Sequence, residues 1–531
     1  MKKKITVYDT TLRDGSQAEG VFFSLQDKLS IALRLDDLGV DYIEGGYPGS
    51  NPKDREFFRD IATHKLTHAR VVAFGSTRRA DKKAEDDPGL QALLKAGTRV
   101  VTIVAKGWDL HVKEVLRVSL ENNLSMISDT VKFLKSRGKE VFVDIEHFFD
   151  GYKSDPKYAL KVLKTVVSSG ADTVVLCDTN GGCLPSEVLP MVKKAKGYVK
   201  VPLGIHAHND CDLAVANTLS AVDGGATHVQ GTINGFGERC GNADLCSVVP
   251  NLLLKKGLQC LDETKLKKLT EVSHYINETA NLAPRSNQPF VGPSAFAHKG
   301  GLHVDAIRKN RQTYEHISPE VVGNERRILI SELSGNATLL AKTARYNITG
   351  DKVLMRKILK QVQDRENMGY HYESAEASFE ILVKKALGRY KPSFELVGFR
   401  AIVERHDNVP VTEATIKINV KGVEELSAAE GDGPVNALDA ALRKALEKFY
   451  PNIKEMHLVD FKVRVIDPKD GTAAKVRVII QSQDKQDIWG TVGVSENIIE
   501  ASWEALVDSI EYKLLKDEEK TARTKTMKGK R

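Results

Sequence analysis

From residue 5 to about residue 270 the chain alternates short apolar runs with amphipathic stretches, the pattern of βα units on a parallel sheet. Eight runs qualify as strands: Ile5 to Asp9, Tyr42 to Gly45, Val71 to Gly75, Val100 to Ala105, Val141 to Glu146, Thr173 to Asp178, Leu203 to His206 and Val229 to Ile233. They are near-continuously apolar rather than alternating, as strands buried on both faces must be. The ends of the intervening helices are legible too. Ser24 and Asp27 form a capping box ahead of apolar positions Leu25, Leu29, Ala32, Leu35 and Leu38, and Gly39 stops that helix. Asn51-Pro52 and Asp155-Pro156 are cap and first-turn pairs. Eight such units predict an α/β fold, a (β/α)8 TIM barrel over residues 1–275, ahead of an open doubly wound sheet.

Residues 276–390 read as a mainly helical linker, broken by Pro284, Pro289, Pro293, Gly300-Gly301, Pro319 and Gly323, with helices predicted at Leu333 to Tyr346 and Asp351 to Asn367. From residue 391 the chain turns strand-rich and repeats itself. Strands at Phe394 to Val403 and Thr412 to Val420 precede a helix that Gly431-Asp432-Gly433-Pro434 opens and that runs through Phe449. A second set, Met456 to Ile466, Ala474 to Gln481 and Trp489 to Val494, precedes a helix from Ser495 through Leu515. Two β-rich halves, each closed by a helix, predict a pseudo-symmetric α+β domain over 391–516, a shape suited to dimerisation or effector binding.

Composition narrows the function. With 41% hydrophobic and 28% charged residues among 531, the chain buries large cores and is neither disordered nor fibrous. Its net charge of +7 is concentrated: Lys520 to Arg531 carries six basic residues and no acidic one. Residues 517–531 therefore read as a basic disordered tail, not a nucleic-acid-binding face. No run of 18 apolar residues predicts a membrane span, and the start of the chain has no signal-peptide pattern. All six cysteines fall between Cys177 and Cys260 without a CxxC pair, which suits a reducing cytoplasm better than a disulfide framework.

A barrel of this kind carries its chemistry at the C-terminal ends of its strands. Strand one ends in Asp9-Thr10-Thr11-Leu12-Arg13-Asp14-Gly15-Ser16-Gln17, strand five in Asp144-Ile145-Glu146-His147, strand six in Asp178-Thr179, strand seven in His206-Ala207-His208. His206 and His208 are two apart on a strand and share a face. With Asp14 they make a two-His, one-carboxylate set that leaves coordination positions open; Zn, Mn, Co and Mg all remain compatible. Such an ion suits chelation of a 2-oxo acid. Arg13 supplies fixed positive charge to a developing oxyanion or pairs with Glu44 or Glu146, and Thr179 offers a hydroxyl to a carboxylate. Gly75, Asp144 and Phe148 are the strand-top residues expected to line the keto-acid pocket. Gly235, Gly237 and Gly241 depart from GxGxxG spacing, and no glycine run follows strand one, which rejects a nicotinamide-binding Rossmann fold.

These residues resemble the metal-dependent TIM-barrel acyltransferases and lyases, the family of 2-isopropylmalate synthases, homocitrate synthases and hydroxymethylglutaryl-CoA lyases. The resemblance rests on Asp9 to Gly15, His206-x-His208-Asn209-Asp210, the Gly-Glu-Arg-x-Gly-Asn run at Gly237 to Asn242, and Gly301-Leu302-His303. It extends to the two-halved C-terminal domain, similar to the effector domains of these synthases. The usual Gly-Glu-Gln after the metal Asp is here Gly15-Ser16-Gln17. Ala73 to Arg79, Gly107 to His111 and Glu146 to Tyr152 look most like the long-type citramalate synthases. The resemblance implies condensation of acetyl-CoA with pyruvate, with 2-isopropylmalate synthase chemistry on 2-oxoisovalerate as the alternative. It implies a divalent metal ion on Asp14, His206, His208 and Asn242, catalytic roles for Arg13, Glu146 and His303, and substrate contacts from Arg13, Gln17, Glu44, Thr179, Asn310 and Tyr314. It further implies a homodimer in which His303 completes the partner's barrel, and isoleucine as feedback inhibitor. The roughly 250 residues after the barrel argue against a bare lyase.

Overall fold

The computed structural model describes residues 4–329, 352–372, 374–406, 409–466 and 474–528. The chain divides into two compact units, Met1–Phe296 with Ile317–Arg326 and Ala297–His316 with Arg327–Arg531.

In the first unit eight parallel strands close into a barrel: β1 (Thr6–Asp9), β2 (Tyr42–Gly46), β3 (Arg70–Ser76), β4 (Val100–Lys106), β5 (Glu140–Glu146), β6 (Thr173–Asp178), β7 (Leu203–Ala207) and β8 (His228–Gly231). Neighbours pair in chain order and β1 also pairs with β8, Val7 opposite Val229, so no edge is left open. Every predicted strand is present. The predicted capping box closes as well: Ser24 Oγ accepts from Asp27 N at 3.2 Å, Asp27 Oδ2 accepts from Ser24 N at 2.8 Å, and Gly39 adopts φ 95°. Tyr8, Val72, Val100 and Phe142 fill the barrel interior at one level, packed with His228. Leu269 and Ile276 of the following helix, Leu269–Thr279, and then Phe290, Val291 and Phe296, are buried in the same core as the barrel helices. That shared burial carries the first unit past residue 275.

The second unit holds a two-residue parallel pair, β9 (Ala297–His298) with β10 (Arg327–Ile328), and the helices Gly301–Lys309, Lys352–Asn367 and Glu376–Ala386. The helix predicted at Leu333 to Tyr346 lies outside the described residues. Two antiparallel three-stranded sheets follow, β11 (Glu395–His406), β12 (Val409–Val420) and β13 (Val423–Gly431), then β14 (His457–Val465), β15 (Val476–Gln483) and β16 (Ile488–Ser495). Strand β13 escaped the sequence reading because its Glu- and Ala-rich run has weak β propensity. It forms because Lys421 and Gly422, at φ 54° and 85°, make the tight two-residue turn that folds it back on β12. Each half is thus three strands and a helix.

Helix Pro434–Leu446 buries Leu438, Ala441, Leu442 and Ala445 against Ala414, Ile416 and Ile418 of β12. Helix Ile498–Lys528 buries Ala501, Ala505 and Leu506 against Val478 and Ile480 of β15. This last helix corrects the expectation of an end at Leu515 and, as far as Lys528, that of a disordered tail over 517–531, whose last three residues lie outside the described ones. No glycine or proline interrupts it before Gly529, its residues are good helix formers, and Glu519 pairs with Lys384 at 2.6 Å.

The edge strands are covered differently. Phe461 lies opposite Ile480, Val463 opposite Val478, and Val465 opposite Val476, so all three share the helix-facing side of the sheet. They nonetheless remain 37–48% exposed, as do Leu396 and Val403 of β11 at 40% and 58%.

Candidate active site

The loop after β1 is built to present two charged groups. Asp9 accepts from Thr11 N and Thr11 Oγ1, both at 2.9 Å, and Thr11 Oγ1 accepts from Ile233 N beyond β8 at 2.9 Å. Leu12 is buried, and Arg13 N and Gly15 N return to Thr10 O at 3.1 and 3.0 Å. The turn so formed puts Arg13 and Asp14 at the barrel mouth.

There Asp14 Oδ2 lies 3.4 Å from His206 Nε2, and His206 Nε2 lies 3.4 Å from His208 Nε2. One oxygen and two ring nitrogens, all within 4.8 Å of one another, converge in a buried position. Burial alone raises Asp14, but Arg13 and the two imidazoles outweigh it and hold the carboxyl well below the usual range. Burial and the neighbouring His206 lower His208 to about 4, which keeps its ring neutral and its lone pair available. Asn242 is bridged to His208 by backbone pairing. Its Nδ2 donates to Phe236 O at 3.1 Å, while its buried Oδ1 has no hydrogen-bond partner among the described residues. An unsatisfied amide oxygen on a residue bridged to His208 suits a divalent ion, which makes Asn242 a candidate fourth ligand. The glycines of this run are steric requirements: Gly241 has φ 90°, and a Cβ there would stand 1.9 Å from Gly235 O.

A cavity of about 260 Å³ opens on the cluster, and Arg13, Asp14, Gln17, Glu146, Thr179, His206 and His208 line it together. Phe74, Val104, Asp144, Cys177, Glu238 and Arg239 complete the wall. Of the residues expected to shape the pocket, Asp144 lines it. Phe148 is fully buried behind, and Gly75 packs on Leu93, so Phe74 and Val104 take their place.

Arg13 is held rigidly. Its Nε donates to Glu44 at 2.5 Å, its NH1 is 3.4 Å from Asp14, and its guanidinium lies 3.9 Å from the Phe74 ring centre. Glu44 has no exposed surface and also accepts from Tyr8 OH at 2.5 Å. It therefore does not face the cavity, as a substrate contact would, but stands behind Arg13 and aims it. Thr179 Oγ1 accepts from His147 N at 2.8 Å, which leaves its own hydrogen to donate. Glu146 pairs with Lys106, a partner the sequence reading missed. Arg239 forks onto Asp210 at 2.8 and 2.9 Å and donates to Thr179 O at 2.7 Å. Gln230, also missed, lies behind His206, with its Oε1 2.9 Å from Nδ1; its only signal was a polar residue inside the apolar run of strand eight.

His303, Asn310 and Tyr314 lie in the second unit. His303, exposed on helix Gly301–Lys309, stacks on Tyr314 with ring centres 4.0 Å apart, and Asn310 caps the next turn through Gln312 N at 3.0 Å.

A closed (β/α)8 barrel with this cluster at its mouth defines a class, and comparison with known proteins agrees with it. A family profile described as HMGL-like matches residues 4–276, one described as homocitrate synthase post-HMGL domain-like matches 290–369, and one described as LeuA allosteric (dimerisation) domain matches 373–514. The chain is 54% identical to an (R)-citramalate synthase of Geobacter sulfurreducens, over 97% of this chain and 98% of that protein. It is likewise 54% identical to an (R)-citramalate synthase of Aquifex aeolicus, over 98% and 99%. A 2-isopropylmalate synthase of Methanocaldococcus jannaschii is 31% identical over 97% and 96%. The chain belongs to the HMGL-like family, on the branch of the (R)-citramalate synthases, and is an enzyme that transfers acyl groups.

Proposed function

We propose that the enzyme condenses acetyl-CoA with pyruvate and water to give (R)-citramalate and CoA, the first step of a threonine-independent route to isoleucine. The observation that carries this reading is the 54% identity over nearly the full length of two citramalate synthases, against 31% for the isopropylmalate synthase. Phe74 and Val104 are apolar members of the cavity wall, in keeping with a small 2-oxo acid.

A divalent ion on Asp14, His206, His208 and Asn242, whether Mn, Mg, Zn or Co, would polarise the keto oxygen as a Lewis acid. The chain's own groups do the rest. Thr179 donates to the substrate carboxylate, and Arg13, immobilised by Glu44 and Phe74, faces the oxygen on which negative charge grows. A base removes a proton from the acetyl methyl of acetyl-CoA, and the enolate carbon bonds to the keto carbon. The resulting alkoxide takes up a proton, and water then cleaves the thioester to release CoA. His303, supplied by a partner subunit, is the base in this reading, with Tyr314 and Asn310 beside it. Glu146, held by Lys106, is the second acid/base at the mouth.

The dimer this requires is supported by the uncovered apolar residues of β11 and β14 in the domain matched to the LeuA dimerisation profile. Isoleucine acting on that domain is the regulatory part of the proposal. Among the described residues no helix is long and apolar enough to cross a membrane, and the six cysteines are free thiols; we place the enzyme in the cytoplasm. Release of CoA measured with pyruvate and with 2-oxoisovalerate tests the substrate, with pyruvate giving the higher kcat/KM. A preference for 2-oxoisovalerate would replace this reading with isopropylmalate synthesis. Isoleucine is expected to slow the pyruvate reaction; an undiminished rate at saturating isoleucine removes the regulatory part.

A further inference from the structure

Gln230 sits in the middle of β8 with no exposed surface, beside the apolar Val229. An amide placed there is unfavourable unless both its ends are bonded. Both are. Its Oε1 is 2.9 Å from His206 Nδ1, and its Nε2 donates to Asp144 Oδ1 at 3.1 Å. Asp144 Oδ1 takes the hydrogen bond of the amide nitrogen, and the amide oxygen is thereby left facing His206. An oxygen in that place has to be met by an N–H, which puts the hydrogen of a neutral ring on Nδ1. The lone pair then lies on Nε2, the atom 3.4 Å from both Asp14 Oδ2 and His208 Nε2.

His208 has no such support. Its Nδ1 is buried and has no hydrogen-bond partner among the described residues. The two imidazoles are therefore unequal: one is oriented from behind through two successive hydrogen bonds, the other is placed by its backbone.

We infer that Asp144 and Gln230 form a positioning relay that locks His206 in the Nδ1–H tautomer, so that its Nε2 stands ready for a divalent cation. Neither residue needs to touch the cation, and the relay acts through His206 alone. This rests on the reading of Asp14, His206 and His208 as a metal site, and the test separates the two.

The metal-free protein is titrated with Co²⁺, followed by its visible absorption, and His206 is read independently in the metal-free protein through histidine-selective ¹⁵N labelling. Gln230→Leu removes the acceptor and is expected to weaken Co²⁺ binding about 10- to 100-fold, the usual loss when a ligand's outer hydrogen bond is removed. Gln230→Glu keeps an oxygen on His206, and its acid form donates to Asp144, so affinity is expected to stay near that of the parent. Asp144→Asn retains an acceptor for Gln230 and is expected to behave likewise, whereas Asp144→Leu frees the amide and weakens binding. The ¹⁵N spectrum, taken at alkaline pH where the ring is neutral, is expected to show the Nδ1–H form of His206 in the parent and a mixture of tautomers in Gln230→Leu. Thermal melts of the metal-free variants check folding; if Gln230→Leu does not fold, the Asp144→Leu and Asp144→Asn pair decides. Equal affinity across the set, or equal loss in Gln230→Leu and Gln230→Glu, overturns the relay. Failure of the parent protein to bind Co²⁺ overturns the metal site instead, while the tautomer of His206 remains readable.

Discussion

In the barrel unit every strand edge is paired and a cluster of buried charged groups stands at the C-terminal strand ends, whereas in the C-terminal domain the edge strands carry apolar side chains into water. Arg13, Glu44, Asp14 and Asp144 are all withdrawn from solvent, each with a named partner. Phe461, Val463 and Val465 have the opposite character: apolar groups on the covered side of a sheet, past the reach of the covering helix. A closed barrel completes itself and can spend its polarity on chemistry. A sheet with an uncovered apolar edge is completed by something else, and a second copy of the same two-halved domain offers a matching surface.

The contrast breaks most sharply at the metal cluster. Replacing Asp14 with Ala is expected to lower turnover at least about 10³-fold, since a Lewis acid at a developing alkoxide is worth several kcal/mol. Dimerisation should be untouched, as the exposed edges lie elsewhere. A variant that keeps its turnover number would take the cluster out of the reaction. Arg13→Ala comes next, with an expected loss of about 10²- to 10³-fold in kcat, the scale of removing one preorganised donor. Were KM alone to rise, Arg13 would be a binding group and not a stabiliser of developing charge.

A paired change on the other unit, Phe461→Asp with Val463→Asp, is expected to weaken self-association at least about tenfold by sedimentation, equivalent to 1.4 kcal/mol. Turnover should fall with it at low protein concentration and recover at high concentration if a partner subunit supplies His303. An unaltered dimer would place the interface away from β14.

The last expected effect is on stability, not turnover, and lies at the start of β8 inside the barrel. Burial lowers His228 to about 3, against about 6.5 for a free imidazole. Its ring lies 5.3 Å from that of Tyr8 and 5.5 Å from that of Phe142. The unfolded chain therefore takes up a proton that the native barrel refuses. The stability involved is complete above about pH 6.5 and is lost as pH falls toward 3, by up to about 1.4 kcal/mol per unit. His228→Phe should flatten that slope between pH 6.5 and 4.5 in urea titrations; a parallel slope would show that other groups carry the acid sensitivity.

Much of the barrel was legible because its strands are apolar runs of the right length and its helix ends carry Ser24, Asn51, Asp155 and Gly39 in capping places. The cluster of Asp14, His206 and His208 was legible for a related reason: residues at strand ends in a closed barrel must converge. What sequence could not give was depth. Glu44 and Thr179 are both polar residues near strand ends, yet one faces the cavity and the other stands behind Arg13, and only the packing distinguishes them. Gln230 escaped because one polar residue does not change the character of an apolar strand. Strand β13 escaped because pairing and a two-residue turn overrode weak local propensity, and the last helix ran on because nothing in its sequence stops it.

The proposed reaction makes one carbon–carbon bond between acetyl-CoA and pyruvate with one handedness. Incubating the metal-loaded protein with both substrates and resolving the product by chiral chromatography tests it directly. The account predicts (R)-citramalate in amounts equal to the CoA released. Formation of the (S) product, or CoA release with no citramalate at all, would contradict it.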